Sequence, residues 1–178
     1  MTKFYLAAIM LCLLTLPFVH LSAKNDTIPQ RITGDMEVKV SDLKQYGESE
    51  LVVELEPKED KSDYILPVVI GACEITGIYE QTHKLNSPRP LTYDLMKNIL
   101  DAANIKLEKI TITKLEDGVY YALLTLNDNG KKLEIDSRPS DAMNLALRYS
   151  SPIFVSKAVF ESAKEPKQKK EEPVETLH

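Results

Sequence analysis

The chain is poor in the residue types that usually announce a chemistry. It has three histidines and two cysteines in 178 residues. His20 lies in an N-terminal apolar segment and His178 is the last residue, so only His83 is left for a folded domain, where it reads as an exposed loop residue. Histidine-based general acid–base chemistry therefore has little to stand on. Cys12 falls inside the apolar segment, and removal of that segment leaves Cys73 alone, which excludes an internal disulfide. Cys73 stands in an apolar stretch and is expected as a small buried side chain rather than a reactive thiol. No phosphate-binding P-loop, Gly-rich dinucleotide turn, serine elbow or zinc-ligand spacing occurs. Excess positive charge is missing too: between Asp35 and Glu161 there are 15 Lys and Arg against 22 Asp and Glu. Such a domain can hold phosphate only through a local basic pocket or a bound cation.

What is present begins at the N-terminus. Lys3 precedes an almost wholly apolar run from Phe4 to Leu16; Pro17 interrupts it, and Leu21-Ser22-Ala23 ends it on small residues. This layout reads as a secretory signal peptide, residues 1–23, with cleavage after Ala23 and export to the periplasm or the exterior. The run is short against the roughly 20 residues a membrane span needs. An uncleaved anchor is the alternative, and a linker, residues 24–34, follows. From Lys164 the chain carries four lysines and four glutamates without apolar periodicity, so residues 164–178 read as a disordered charged tail.

Between these ends, residues 35–163 read as one domain. Met36, Val38 and Val40 alternate as in a half-buried strand, and Leu51 to Leu55 reads as its partner. Tyr64 to Ile70 is a continuous apolar run in which Pro67 points to an edge position or a bulge. After Gly71 the period turns helical, with Ala72, Ile75, Ile78 and Tyr79 on one face. Thr92 is expected to cap a second helix, with Asp94 in its first turn and a buried stripe of Leu95, Met96, Ile99, Leu100 and Ala103. Strands around Ile110 to Ile112 and Val119 to Leu126 follow, then the hairpin signal Asn127-Asp128-Asn129-Gly130 and Leu133 to Ile135. Ala142, Leu145 and Ala146 mark a third helix, Pro152 to Val155 a last strand, and Ala158 to Ala163 a short helix. The order predicts an α+β fold with a mainly antiparallel or mixed sheet and three to four helices in a single domain.

Two Arg-Pro pairs stand just before helix starts: Arg89-Pro90 beside Thr92 and Asp94, and Arg138-Pro139 beside Ser140 and Asp141. Helix N-termini attract anions, and arginine binds phosphate oxygens in a bidentate manner. One reading makes Arg89, Arg138, Thr92 and Ser140 a pair of phosphate-gripping corners. The other makes each corner a helix cap with its arginine paired to a nearby carboxylate. Glu74, Asp94, Asp136 and Asp141, at strand ends or helix starts, are candidates to hold Mg²⁺ or Mn²⁺ and activate water, with Asp136 and Asp141 the first choice as metal ligands.

The collinear segments LPVVIGACEITGI, PRPLTYDLMKNIL, DGVYYALLTL and EIDSRPSDAMNLALR, followed by PIFV, resemble the bifunctional nuclease domain family over about Asp35 to Ala163. The resemblance implies an α+β fold, a tendency to homo-oligomers, and hydrolysis of DNA and RNA as in some plant members. Its motif positions here are Gly71 and Glu74; Arg89, Pro90, Leu91, Thr92 and Asp94; and Asp136, Arg138, Pro139, Ser140, Asp141 and Ala142. Tyr93 stands where the family usually has histidine, and with an ordinary phenol pKa near 10 it is a weak base at neutral pH. The leading expectation is an exported, divalent-cation-assisted nuclease acting on nucleic acid, with Asp136, Asp141, Asp94 and Glu74 catalytic. The alternative is a non-catalytic oligomeric binding or assembly module of the cell envelope.

Overall fold

A computed structural model of the protein describes residues 34–46, 50–59, 62–85 and 87–167, all within one compact unit, Ile32–His178. The expected signal segment, almost all of the linker, and the tail beyond residue 167 lie outside the described residues. The elements are β1 (Asp35–Tyr46), β2 (Glu50–Pro57), β3 (Tyr64–Ile70), α1 (Ala72–Thr82), α2 (Thr92–Ala102), β4 (Ile105–Glu116), β5 (Val119–Asp128), β6 (Lys131–Ser137), α3 (Pro139–Tyr149), β7 (Ile153–Ser156), α4 (Lys157–Ala163) and β8 (Glu165–Pro166). The strands form one mixed sheet in the order β6-β5-β4-β7-β1-β2-β3-β8. Among the described residues only β4 and β7 run parallel, so the expected α+β class holds. The strand β8, inside the stretch read as tail, pairs with Tyr64 and Ile65.

Local chemistry explains the strand boundaries. The β5–β6 hairpin turns at Asn129 and Gly130, whose positive φ values of 50° and 92° are those a two-residue turn requires. Beyond Ile65, β3 has β2 as its only neighbour among the described residues, so Pro67 sits at an edge as its missing N–H demands. The Pro67 carbonyl accepts a hydrogen bond from the Tyr120 hydroxyl of β5 at 3.2 Å. In a flat sheet these strands, five places apart, would be about 24 Å from each other. The sheet is therefore strongly curled.

The concave side holds the core. Ile110 and Ile112 of β4, Val53 and Leu55 of β2, and Leu66 and Val68 of β3 are closed off by Met143, Leu145 and Ala146 of α3, with Ile78 of α1 and Phe160 of α4. Alternation decides which strand residues face α3. Ala122 and Leu124 of β5 face the core, and their partners on β6 are Ser137 and Ile135. Asp136, paired with Leu123, stands on the other face.

Three expectations of burial are corrected. Cys73 is exposed, because the inward face of α1 is centred on Gly77 and Ile78, which leaves Ala72 and Tyr79 outside as well. On α2, Leu95, Met96 and Ile99 stand 54%, 40% and 60% exposed, and no residue of the helix is fully buried. This helix meets α3 through a polar edge instead. Tyr93 reaches Asp141 and Asp94 reaches Arg148, while the Lys97 carbonyl and Asp101 both accept from the Tyr149 hydroxyl. Docking along positions 93, 94, 97 and 101 turns the apolar stripe outward.

Candidate functional site

The N-terminal ends of α1, α2 and α3 meet at one corner. Helix α3 starts as its sequence predicts: Arg138 is the N-cap with extended backbone and Pro139 opens the helix. That start aims the Arg138 side chain back over the first turn. Its Nε donates to Asp141 Oδ2 at 2.7 Å, and Nη2 donates to Asp141 Oδ1 at 2.9 Å and to Glu74 Oε1 at 2.8 Å. Glu74 comes from the first turn of α1. From the first turn of α2, the Tyr93 hydroxyl donates to Asp141 Oδ1 at 2.7 Å. The carboxylates thus fix one long edge of the guanidinium. Nη1 has no partner among the described residues, and the side chain is 66% exposed.

The electrostatics follow from this packing. Partial burial works against the charged form of Asp141, but hydrogen bonds from Arg138 and Tyr93 outweigh it and hold the carboxyl below its ordinary range. Burial, and then the hydrogen bond to Asp141, push the Tyr93 phenol well above its ordinary value. Tyr93 is therefore a hydrogen-bond donor at neutral pH and not a base. Hydrogen bonds to Asp141 lead the causes that raise Arg138 further. Asp141 has both oxygens engaged, whereas Glu74 Oε2 accepts no hydrogen bond among the described residues. That oxygen folds back beside Gly71, where a Cβ would lie 2.4 Å from it.

A buried network behind the corner sets these positions. Asn144 is fully buried on α3 and donates to the Glu74 carbonyl at 2.9 Å and the Ser140 carbonyl at 3.0 Å. Arg148, its side chain 2% exposed, donates from Nε to Asp94 Oδ1 at 2.5 Å and from Nη1 to Asn144 Oδ1 at 3.1 Å. Asp94 Oδ2 in turn accepts the Leu91 N–H at 2.9 Å. The cap of α2 is therefore Leu91 with Asp94 reaching back, and Thr92, expected as the N-cap, is the exposed first helical residue.

The expected site residues divide accordingly. Glu74, Arg138 and Asp141 converge directly, with Asp94 one residue from Tyr93 and committed to Arg148. Ser140 is buried under the corner and engages Asn144 through its carbonyl. Arg89 and Thr92 are exposed on the approach to α2, and Arg89 pairs with no carboxylate among the described residues. Asp136 is exposed on the sheet face away from α3 and is not brought to Asp141. Among the described residues, no group of three or more His, Cys, Asp or Glu side chains could hold a metal ion. Tyr93, Asn144 and Arg148 complete the corner. The signal for the latter two was a polar stripe, Asp141-Asn144-Arg148, at spacing i, i+3, i+7, between which every residue from Ala142 to Leu147 other than Asn144 is apolar.

The far end of α2 is tied down by Asp101, which accepts from Lys97 and Lys106 at 2.6 Å each and from Tyr149 at 3.2 Å. Hydrogen bonds from Lys106 and Lys97 hold its carboxyl at about 2. The unfolded carboxyl takes up its proton near pH about 3.9. Stability from Asp101, Asp94 and Asp141 is present above that pH and is lost as pH falls through their lowered folded values. Urea midpoints should thus decline from about pH 4 to about pH 2, and less steeply in Asp101→Asn. An equal decline in that variant would contradict the assignment.

The bifunctional nuclease domain family matches residues 55–168. An uncharacterised protein of Mycobacterium tuberculosis is 35% identical over 106 residues, covering 60% of this chain and 63% of that protein. A protein of Oryza sativa subsp. japonica named bifunctional nuclease 1 is 29% identical over 104 residues, covering 57% of this chain and 31% of its own. The Arabidopsis thaliana protein of the same name is 29% identical over 102 residues, covering 56% and 31%. The chain thus spans under two thirds of the mycobacterial relative and under one third of the plant ones. With a match that runs from β2 through the Arg138 corner to β8, the chain belongs to the bifunctional nuclease domain family.

Proposed function

We propose that the protein is a nuclease that hydrolyses phosphodiester bonds of DNA or RNA at the corner formed by α1, α2 and α3. One observation carries the reading: a guanidinium clamped along one edge by Glu74 and Asp141, with its Nη1 edge open to solvent. Such an edge can take a phosphate oxygen without having to be ordered first. Arg138 binds the phosphate and steadies the charge that grows on it. Glu74, through its free Oε2, accepts the proton of the water that attacks phosphorus, while the leaving oxygen is protonated from solvent. Asp141 and Tyr93 orient Arg138, Asp94 holds α2, and Arg89 and Thr92 serve as outer contacts to the polymer.

A divalent cation, expected from the sequence, would meet Glu74 and Asp141 as neighbouring carboxylates among the described residues, with Arg138 already between them. Magnesium is commonly held by one or two carboxylates with water and substrate phosphate, but both of these carboxylates already pair with Arg138, whose positive charge between them opposes a second cation. Export rests on residues 1–23 and is proposed from the sequence alone. The test is the purified chain against single- and double-stranded DNA and RNA in Mg²⁺, Mn²⁺ or EDTA. Turnover of at least one polymer is expected, and the EDTA arm decides the need for a cation. No turnover in any arm would overturn the reading.

The second reading, an assembly module, is favoured by the outward stripe of Leu95, Met96 and Ile99. A two-fold axis would set the same apolar stripe of two copies against itself. A homo-oligomer built on α2 is the proposed occupant, and it is compatible with catalysis. Light scattering should show an oligomer that Leu95→Glu with Ile99→Glu converts to a folded monomer. A monomer before substitution would remove the proposal.

A further inference from the structure

We infer that Arg148 is the positioning residue of the corner, holding Tyr93, and through it Asp141 and Arg138, where a substrate phosphate would meet them. Its catalytic part rests on the phosphodiesterase reading. Arg148 leaves the last turn of α3 and runs back between α1 and α2 with almost no solvent exposure. Each of its engaged atoms holds a different helix. Nε fixes Asp94, which caps α2 through the Leu91 N–H and so sets where the next residues of that helix begin. Nη1 donates to the carbonyls of Asn144 at 3.2 Å and Gly77 at 3.5 Å, and to Asn144 Oδ1 at 3.1 Å. Those contacts tie α3 to α1, whose first turn carries Glu74.

The guanidinium also lies 5.4 Å from the centre of the Tyr93 ring, within cation–π range. Ring and hydroxyl of Tyr93 are thus held at opposite ends: Arg148 against the face, Asp141 at the oxygen. Among the described residues, Nη2 of Arg148 is buried without a hydrogen-bond partner. Satisfaction of its own donors therefore does not account for the burial of this arginine. What the two engaged nitrogens hold in register does. A lysine would keep the charge but could not span Asp94, Gly77 and Asn144 from one planar group.

The experiment uses Arg148→Lys and, should that variant not fold, Asp94→Asn, whose amide oxygen can still cap Leu91. Circular dichroism establishes the fold. Tyr93 is then titrated by tyrosinate absorbance, with Tyr93→Phe in each background subtracted to isolate it from the other tyrosines. In the unchanged protein Tyr93 should contribute no ionisation near pH about 10, whereas in folded Arg148→Lys it should ionise there, as an unperturbed phenol does. A Tyr93 titration that stays put while only the melting temperature falls would overturn the proposal. In the nuclease assay, kcat should fall on the order of a hundredfold with KM nearly unchanged, as expected for misplaced reacting groups. A rise in KM at constant kcat would likewise overturn it. If the unchanged protein shows no turnover, the phosphodiesterase reading fails, and the tyrosine titration alone decides the role of Arg148.

Discussion

Replacement of Gly77 by alanine is expected to destabilise the domain by about 2 kcal/mol, although the same change inside a helix ordinarily stabilises by about 1 kcal/mol. The reversal comes from what faces the glycine. A Cβ at this position would lie 2.3 Å from Asn144 Oδ1, 3.2 Å from Asn144 Cγ and 3.3 Å from a ring carbon of Tyr93. Asn144 cannot give way freely, since it is fully buried and its amide joins Glu74, Ser140 and Arg148. Moving it strands buried donors and acceptors at roughly 1–3 kcal/mol each, and overpacking adds about 1–3 kcal/mol. These costs exceed the gain in helix propensity. Urea denaturation of the two proteins measures the difference, and a stabilised Gly77→Ala would show that α1 and α3 are not in this contact.

Arg138→Ala is expected to lower turnover by about a hundred- to a thousandfold, the cost of removing one fixed donor to a developing oxyanion. The effect on folding should be small. Arg138 is 66% exposed, and ion pairs so open to solvent contribute little to stability. The same substitution leaves Glu74 and Asp141 without the cation between them, which disfavours approach of a phosphate as well. Activity and stability should therefore separate in this variant, whereas in Gly77→Ala both fall together. Loss of stability with unchanged turnover would mark Arg138 as a cap and nothing more.

Much of the fold could be read from periodicity because alternation and turn chemistry agree along this chain. The run Tyr64–Ile70 and the Asn129–Gly130 turn fall where residue pattern alone puts them. Helix α2 shows where pattern fails. Periodicity finds the apolar stripe of Leu95, Met96 and Ile99 but cannot say that a polar edge makes the docking contacts. Cys73 fails for a related reason, since the close approach of Gly77 to Asn144 rotates the buried face of α1. At the corner, the Arg138-Pro139-Ser140-Asp141 stretch was legible as a helix start whose arginine pairs with a nearby carboxylate. The grouping of Asp136 with Asp141 was not. Five residues apart in sequence, they are divided by the alternation of β6, which sends Ser137 toward the core and Asp136 away. Arg148 and Asn144 passed as ordinary helix residues because the partners that tie them to the corner, Asp94 and the Glu74 carbonyl, lie on other helices, far along the chain.

The central claim is that phosphodiester chemistry belongs to the Arg138 corner and not to the end of β6. The most direct test is turnover of nucleic acid by Arg138→Ala beside Asp136→Asn, each confirmed as folded, under the conditions in which the unchanged protein is active. The account predicts loss of about a hundredfold or more for Arg138→Ala and near-normal turnover for Asp136→Asn. Loss with Asp136→Asn and retention with Arg138→Ala would contradict it.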